Sequence, residues 1–259
     1  MRALLDRLLG RVTGLVYVAQ DETGAMKDAR PGARLGKTGP PWIVVHAAPD
    51  AVLVTHWPGR LWRVRVLRRG REQPLADARY TRADTVEAIE ELPCAILFGA
   101  HGDAICRVLD AAAALTRDAA ERLSAARHPD CDAAYLRVWN GWSGGALASP
   151  ERPLMIAGRD QPLATGGRKS PVGGTLMTVH GAVGRRAGAI DGAAAFRDED
   201  DDTFLAPPWD GASDALLHAA LALGAPELCE PRERDALLAA WEAVYGETGS
   251  LSGRPLSTT

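Results

Sequence analysis

Lysine is nearly missing from this chain: Lys27, Lys37 and Lys169 are the only lysines among 30 basic residues, and the others are arginines. Arginine forks suit carboxylate and phosphate groups better than ammonium groups do, although an arginine- and alanine-rich composition also follows from a GC-rich coding sequence. Phenylalanine is scarce as well, three residues against seven tryptophans. The four cysteines, Cys94, Cys106, Cys131 and Cys229, show no C-x-x-C spacing, and 259 residues bury a core without disulfide staples, so reduced thiols are expected. No apolar run approaches the roughly 18 residues that span a bilayer. Arg2, Arg7 and Arg11 interrupt the N-terminal stretch, which opposes a signal peptide and makes the cytoplasm the expected location. The formal charge of -3 opposes nucleic-acid or acidic-membrane binding by bulk electrostatics.

What remains is ordinary globular material, 46% hydrophobic and 24% charged. Its patterning predicts an α+β fold, a mostly antiparallel sheet with helices packed on one face. Leu4, Leu5, Leu8, Leu9 and Val12 repeat at helical spacing ahead of a strand over 15–19. A loop over 21–41 precedes strands at 42–45, 51–55 and 61–67, with Pro58-Gly59 turning between the last two. Residues 81–92 read as a helix, because Asp84 and Glu87 have capping-box spacing, Val86 and Ile89 share a face, and Pro93 stops the run. An apolar strand over 94–98 then leads through the turn Gly99-Ala100-His101-Gly102 into a helix striped by Ile105, Val108, Leu109, Ala112 and Leu115. Helices follow at 119–127 and 133–140, short strands at 154–157 and 175–183, and helices at 214–223 and 232–245.

The clustered Gly, Ser and Pro at 143–153 suggest a linker. It divides a 1–142 α+β domain carrying a Trp/Arg β-hairpin from a smaller 154–246 α+β segment, which stands apart or packs into the same domain. A flexible tail over 247–259 follows. Gly211-Ala212-Ser213-Asp214-Ala215-Leu216 resembles the stretch from Gly99 to Ile105 with one residue deleted, which raises two related halves as an alternative.

Two constellations carry the anion-binding expectation. A hairpin about Pro58-Gly59 would place His56, Arg63 and Arg65 on one sheet face, able to hold a carboxylate, sulfate or phosphate; the plainer reading is a solvated face. The turn from Gly99 to Asp103 opens a helix whose free N–H groups attract anions, with His101 placed to move a proton; the plainer reading is a tight turn capped by Asp103. The expected catalytic residues are therefore His56, His101 and Asp103, and the expected substrate-binding residues Arg63, Arg65, Gly99 and Gly102.

The remaining motifs are weaker. Gly36-Lys37-Thr38 is no phosphate loop, since Pro40 and Pro41 block the helix that must follow. His101 with Cys106, and His128 with Cys131, lack finger spacing, so buried thiols are expected rather than zinc ligands, and no metal or cofactor is expected. The acidic run from Asp198 to Asp202 reads first as a solvated loop, with a magnesium role as the alternative. Thr165-Gly166-Gly167-Arg168-Lys169-Ser170 is a basic glycine-rich loop that could act as a lid or merely be mobile.

The leading expectation is an enzyme for a small anionic molecule, acting by elimination, group transfer or hydrolysis without a redox cofactor. The rival is a partner-binding protein, an inhibitor, an immunity-type protein or a subunit of a heteromeric complex or homo-oligomer, anchored by exposed Trp57, Trp142 or Trp209 with arginine. No nucleic-acid or membrane partner is expected.

Overall fold

The computed structural model describes residues 12–21, 24–36, 39–52, 54, 56–74, 78–143, 171–199 and 202–246, with backbone alone at 141–143 and 171–177. The expected N-terminal helix before residue 12, the 143–153 linker, the 154–157 strand, the basic loop and the C-terminal tail lie outside the described residues.

Five strands form one antiparallel sheet: β1 (Thr13–Ala19), β2 (Arg34–Gly36), β3 (Ile43–His46), β4 (Gly59–Arg69) and β5 (Tyr80–Leu92). The longest strand, β5, holds β4 along one edge and β3 and then β2 along the other. β1 lies against β4 from Thr13 opposite Arg65 to Ala19 opposite Gly59, and meets β3 where Leu15 faces His46. The sheet therefore curls until it closes as a small barrel. Alternation explains why: Val16, Val18, Ile43, Val45, Trp62, Val64 and Val86 fill the interior, while intervening residues point out. Register shifts between Val66 and Arg69 change the inward phase of β5, so that Ala83 as well as Val86 and Ala88 is buried.

The sequence reading of 81–92 as a helix is overturned here. Thr81, Thr85, Val86 and Ile89 are β-branched, and four of the strand's carboxylates reach arginines of β4: Asp84 to Arg68, Glu87 to Arg65, Glu90 to Arg63 and Glu91 to Arg60. The apparent capping-box acids are cross-strand partners. The expected hairpin about Pro58-Gly59 is also corrected. Pro49–Ala51 is a short 3-10 helix, and β4 starts at Gly59 with β1 as its partner. Gly59 permits that start, since a Cβ there would lie 2.3 Å from the Tyr17 hydroxyl. The expected 94–98 strand is a second 3-10 helix, Cys94–Phe98.

Six α-helices follow among the described residues: α1 (Gly102–Ala113), α2 (Arg117–Ala125), α3 (Cys131–Ser143), α4 (Pro171–Asp191), α5 (Trp209–Gly224) and α6 (Pro231–Tyr245). Their ends follow local chemistry. The Thr116 hydroxyl accepts from the Ala119 N–H, Pro231 opens α6, the Glu230 N–H donates to the Glu233 carboxylate, and Gly246 leaves α6 at a φ of 80°. α5 is the central helix: Trp209, Ala212, Leu216, Ala219, Ala220 and Leu223 bury most of its circumference. The expected 175–183 strand belongs instead to α4, whose Val179, Ala182, Val183 and Ala187 press against the shared core. Leu15 and Leu61 from the barrel, with Val54 and Trp57 from the segment before β4, join that same core, so the helices cover one side of the barrel. Helices from both sides of 143–153 share this core; the first of the two similar glycine segments leads into the start of α1, whereas the second lies within α5. Among the described residues no helix is long and apolar enough to cross a membrane.

Candidate functional site

The basic side chains expected to hold an anion or move its proton, Arg63, Arg65, His56 and His101, each face a carboxylate. Arg63 and Arg65 share the outer face of β4, where Arg63 donates to Glu90 at 2.5 Å and Arg65 to Glu87 at 2.8 Å. His56 lies before β4 rather than across from it, 3.2 Å from Asp21. His101 caps α1 and approaches Glu227 at 3.6 Å. Asp103 sits exposed in the first turn of α1. Gly99 takes a φ of 81°, the left-handed region, and Gly102 is held by packing, because a Cβ there would lie 1.8 Å from the Ala95 carbonyl oxygen. The two arginines are thus brought together on one ladder, whereas His56 and His101 each belong to another carboxylate.

The tryptophans expected as exposed anchors are buried. Trp57 is 8% exposed and donates to Asp110 at 2.8 Å; Trp209 is fully buried and donates to Asp191 at 2.7 Å. Their indole N–H groups found internal carboxylates, which removes the Trp57 and Trp209 surface patch; the Trp142 side chain lies outside the described residues. The thiols are also unsuited to nucleophilic work: burial pushes Cys94 up to about 11 and Cys106 up to about 12.

A small cleft of about 270 Å³ opens at the barrel, lined by Val16, Met26, Trp42, Ile43 and His46 among others. Burial lowers His46 to about 4, and its Nδ1 has no hydrogen-bond partner among the described residues. None of the residues expected to be catalytic or substrate-binding lines this cleft.

The most distinctive surface is elsewhere. After α4 the chain forms a two-stranded hairpin, β6 (Phe196–Glu199) and β7 (Asp202–Leu205), and every residue of it is exposed except Leu205. Register assigns its faces. Phe196 pairs with Leu205 and turns toward α4, where its ring lies over Gly188. Arg197 pairs with Phe204, and Glu199 with Asp202, on the face turned away. On that face the Arg197 guanidinium lies 5.8 Å from the Phe204 ring centroid and donates to Glu199 at 2.9 Å. Phe196 and Phe204 are 38% and 42% exposed, unusual for rings of that size beside a well-filled core.

The tip joins them with the run Asp198-Glu199-Asp200-Asp201-Asp202, five acids beside one arginine. Thr203 donates to Asp198 at 2.8 Å, stiffening the turn. Sequence reasoning took this run as a loop. The overlooked signal was symmetry: Phe196 and Leu205 stand at equal distances in sequence on either side of Asp200-Asp201, as two strands joined by two residues require. No family model, no curated protein and no solved structure matches the chain.

Proposed function

We propose that this chain is a partner-binding protein of the inhibitor type, which inserts its acidic hairpin into a basic groove of another protein. The observation that carries the reading is the β6–β7 hairpin, exposed along both strands, with Phe204 on its outward face and five successive acids at its tip. Two strands are of marginal stability in water, and this ribbon is anchored by Phe196 over Gly188 and by buried Leu205, so the exposure of its other described residues needs a reason beyond packing. Charge complementarity supplies one: an acidic tip steers toward a basic surface, and a desolvated aromatic then anchors the contact.

The test is direct titration of a purified partner. Crosslinking from the hairpin in cells that express the chain identifies the candidate, which is then produced alone and titrated calorimetrically. The reading expects stoichiometric binding that weakens as salt rises and falls more than about tenfold, or 1.4 kcal/mol, in Phe204→Ser and in the combined Asp198→Asn, Glu199→Gln, Asp202→Asn variant. Unchanged affinity in both variants overturns it.

A further inference from the structure

We propose that Cys131, Asp132 and His218 form a binding site for a divalent transition-metal ion of the zinc type. The three side chains come from two helices 87 positions apart in sequence, Cys131 and Asp132 opening α3 and His218 lying on α5. One ligand atom from each falls within 4.8 Å of the other two. The Cys131 Sγ is 3.7 Å from Asp132 Oδ1, and His218 Nε2 is 3.8 Å from the same oxygen. In a tetrahedral zinc site, bonds of about 2.3 Å to sulfur and about 2.0 Å to nitrogen and oxygen put ligand atoms roughly 3.3–3.5 Å apart. The two spacings to Asp132 need only a few tenths of an ångström of contraction, and Cys131 and His218, within 4.8 Å of each other, close further as the ion draws them in.

The surroundings fit that ion. Cys131 and His218 are buried, whereas Asp132 is 69% exposed, so an ion enters from solvent and keeps its fourth position for water. The Tyr135 ring lies 4.8 Å from the imidazole of His218 and fixes its plane. Arg127 donates at 2.5 Å to the same Asp132 Oδ1 that faces Cys131 and His218, and approaches Asp214 at 3.4 Å, so an ion that takes this oxygen leaves the guanidinium to Asp214 and to the other oxygen of Asp132. Binding releases the Cys131 thiol proton to water. The thiolate, Asp132 and Asp214 then set three negative charges against the Arg127 guanidinium, and a divalent ion balances the two that remain. Thiolate and imidazole together select zinc over magnesium or calcium, which prefer all-oxygen sites.

The test uses the full chain, stripped with a chelator under reducing conditions and titrated with Co²⁺, then with Zn²⁺. The expected result is one Co²⁺ per chain, a thiolate-to-cobalt charge-transfer band, and bleaching of that band by Zn²⁺. Cys131→Ser abolishes the band. Asp132→Asn, a change at an exposed side chain that leaves the core intact, weakens Co²⁺ binding by about tenfold or more. Absence of the band in the wild type overturns the proposal, as does a band that persists in Cys131→Ser and therefore arises at Cys94, Cys106 or Cys229. Co²⁺ binding unchanged in Asp132→Asn removes the carboxylate and overturns the three-ligand site.

Discussion

Replacing Gly102 with alanine tests the junction between the barrel and the helical layer. The new Cβ would lie 1.8 Å from the Ala95 oxygen and 2.6 Å from its carbonyl carbon, both backbone atoms of the 3-10 helix packed against α1. A carbon needs about 3.3 Å from a carbonyl oxygen, so one segment must move by about 1.5 Å, and no rotamer change relieves the clash. Overpacking of this kind costs about 1–3 kcal/mol, and a rigid backbone obstacle puts it at the upper end. Helix propensity returns about 1 kcal/mol of that, because Gly102 is helical and alanine is the better former. The net loss is about 2 kcal/mol, which lowers the melting temperature by roughly 4–8 °C in a chain of this size. Gly184→Ala is the control: nothing lies within 4 Å of its added methyl, in the interior of α4. It gains about 0.5–1 kcal/mol and melts 1–4 °C higher. Thermal unfolding followed by circular dichroism reads both. Gly102→Ala melting at or above the wild-type temperature refutes the junction geometry.

Other consequences can be measured separately. Trp209→Phe removes the donor to Asp191, which keeps only its Arg117 partner of those two, and costs about 1.5–3 kcal/mol in urea unfolding; a change below about 0.5 kcal/mol contradicts the bond. His46 has a folded value of about 4 against 6.5 unfolded, so the stability from its neutral form is complete above 6.5 and is lost as pH falls toward 4. Over that window His46→Gln flattens the stability-against-pH slope by about 1.4 kcal/mol per pH unit, and an unchanged slope places His46 in solvent. Arg63→Ala, removing one half of an exposed ion pair, changes stability by less than about 1 kcal/mol. Sulfate and phosphate should then shift the melting of wild type and Arg63→Ala equally; a shift confined to the wild type returns the anion site to β4.

The helical half was the more legible in sequence. The stripe from Ile105 to Leu115, Pro231 with Gly246, and the apolar run of α5 each report a helix by local means. β5 was misread because Asp84 and Glu87 mimic capping-box spacing, whereas their partners Arg68 and Arg65 lie on β4, out of reach of any local pattern. α4 was misread because its glycines lower helix propensity and its β-branched residues favour strands, both of which tertiary packing overrode. The anion-site residues were correctly seen as charged but not as satisfied, since a sequence shows an arginine without showing which carboxylate faces it. Cys131 and His218 carry no spacing signal, because only the packing of α3 on α5 brings them together.

The barrel's seams are unequal. β1 is laced to β4 along its whole length but meets β3 at Leu15 and His46 among the described residues. A cylinder closed this way opens along its weakest line, as a zipper does from its loose end. Amide protons bordering β1 and β3 should therefore exchange with solvent before those between β4 and β5, which hold until the molecule unfolds globally. Each opening briefly exposes a raw strand edge and the flank of Val16 and Val45. At high concentration that edge gives a second copy somewhere to pair, making the β1–β3 seam the chain's point of entry for strand exchange.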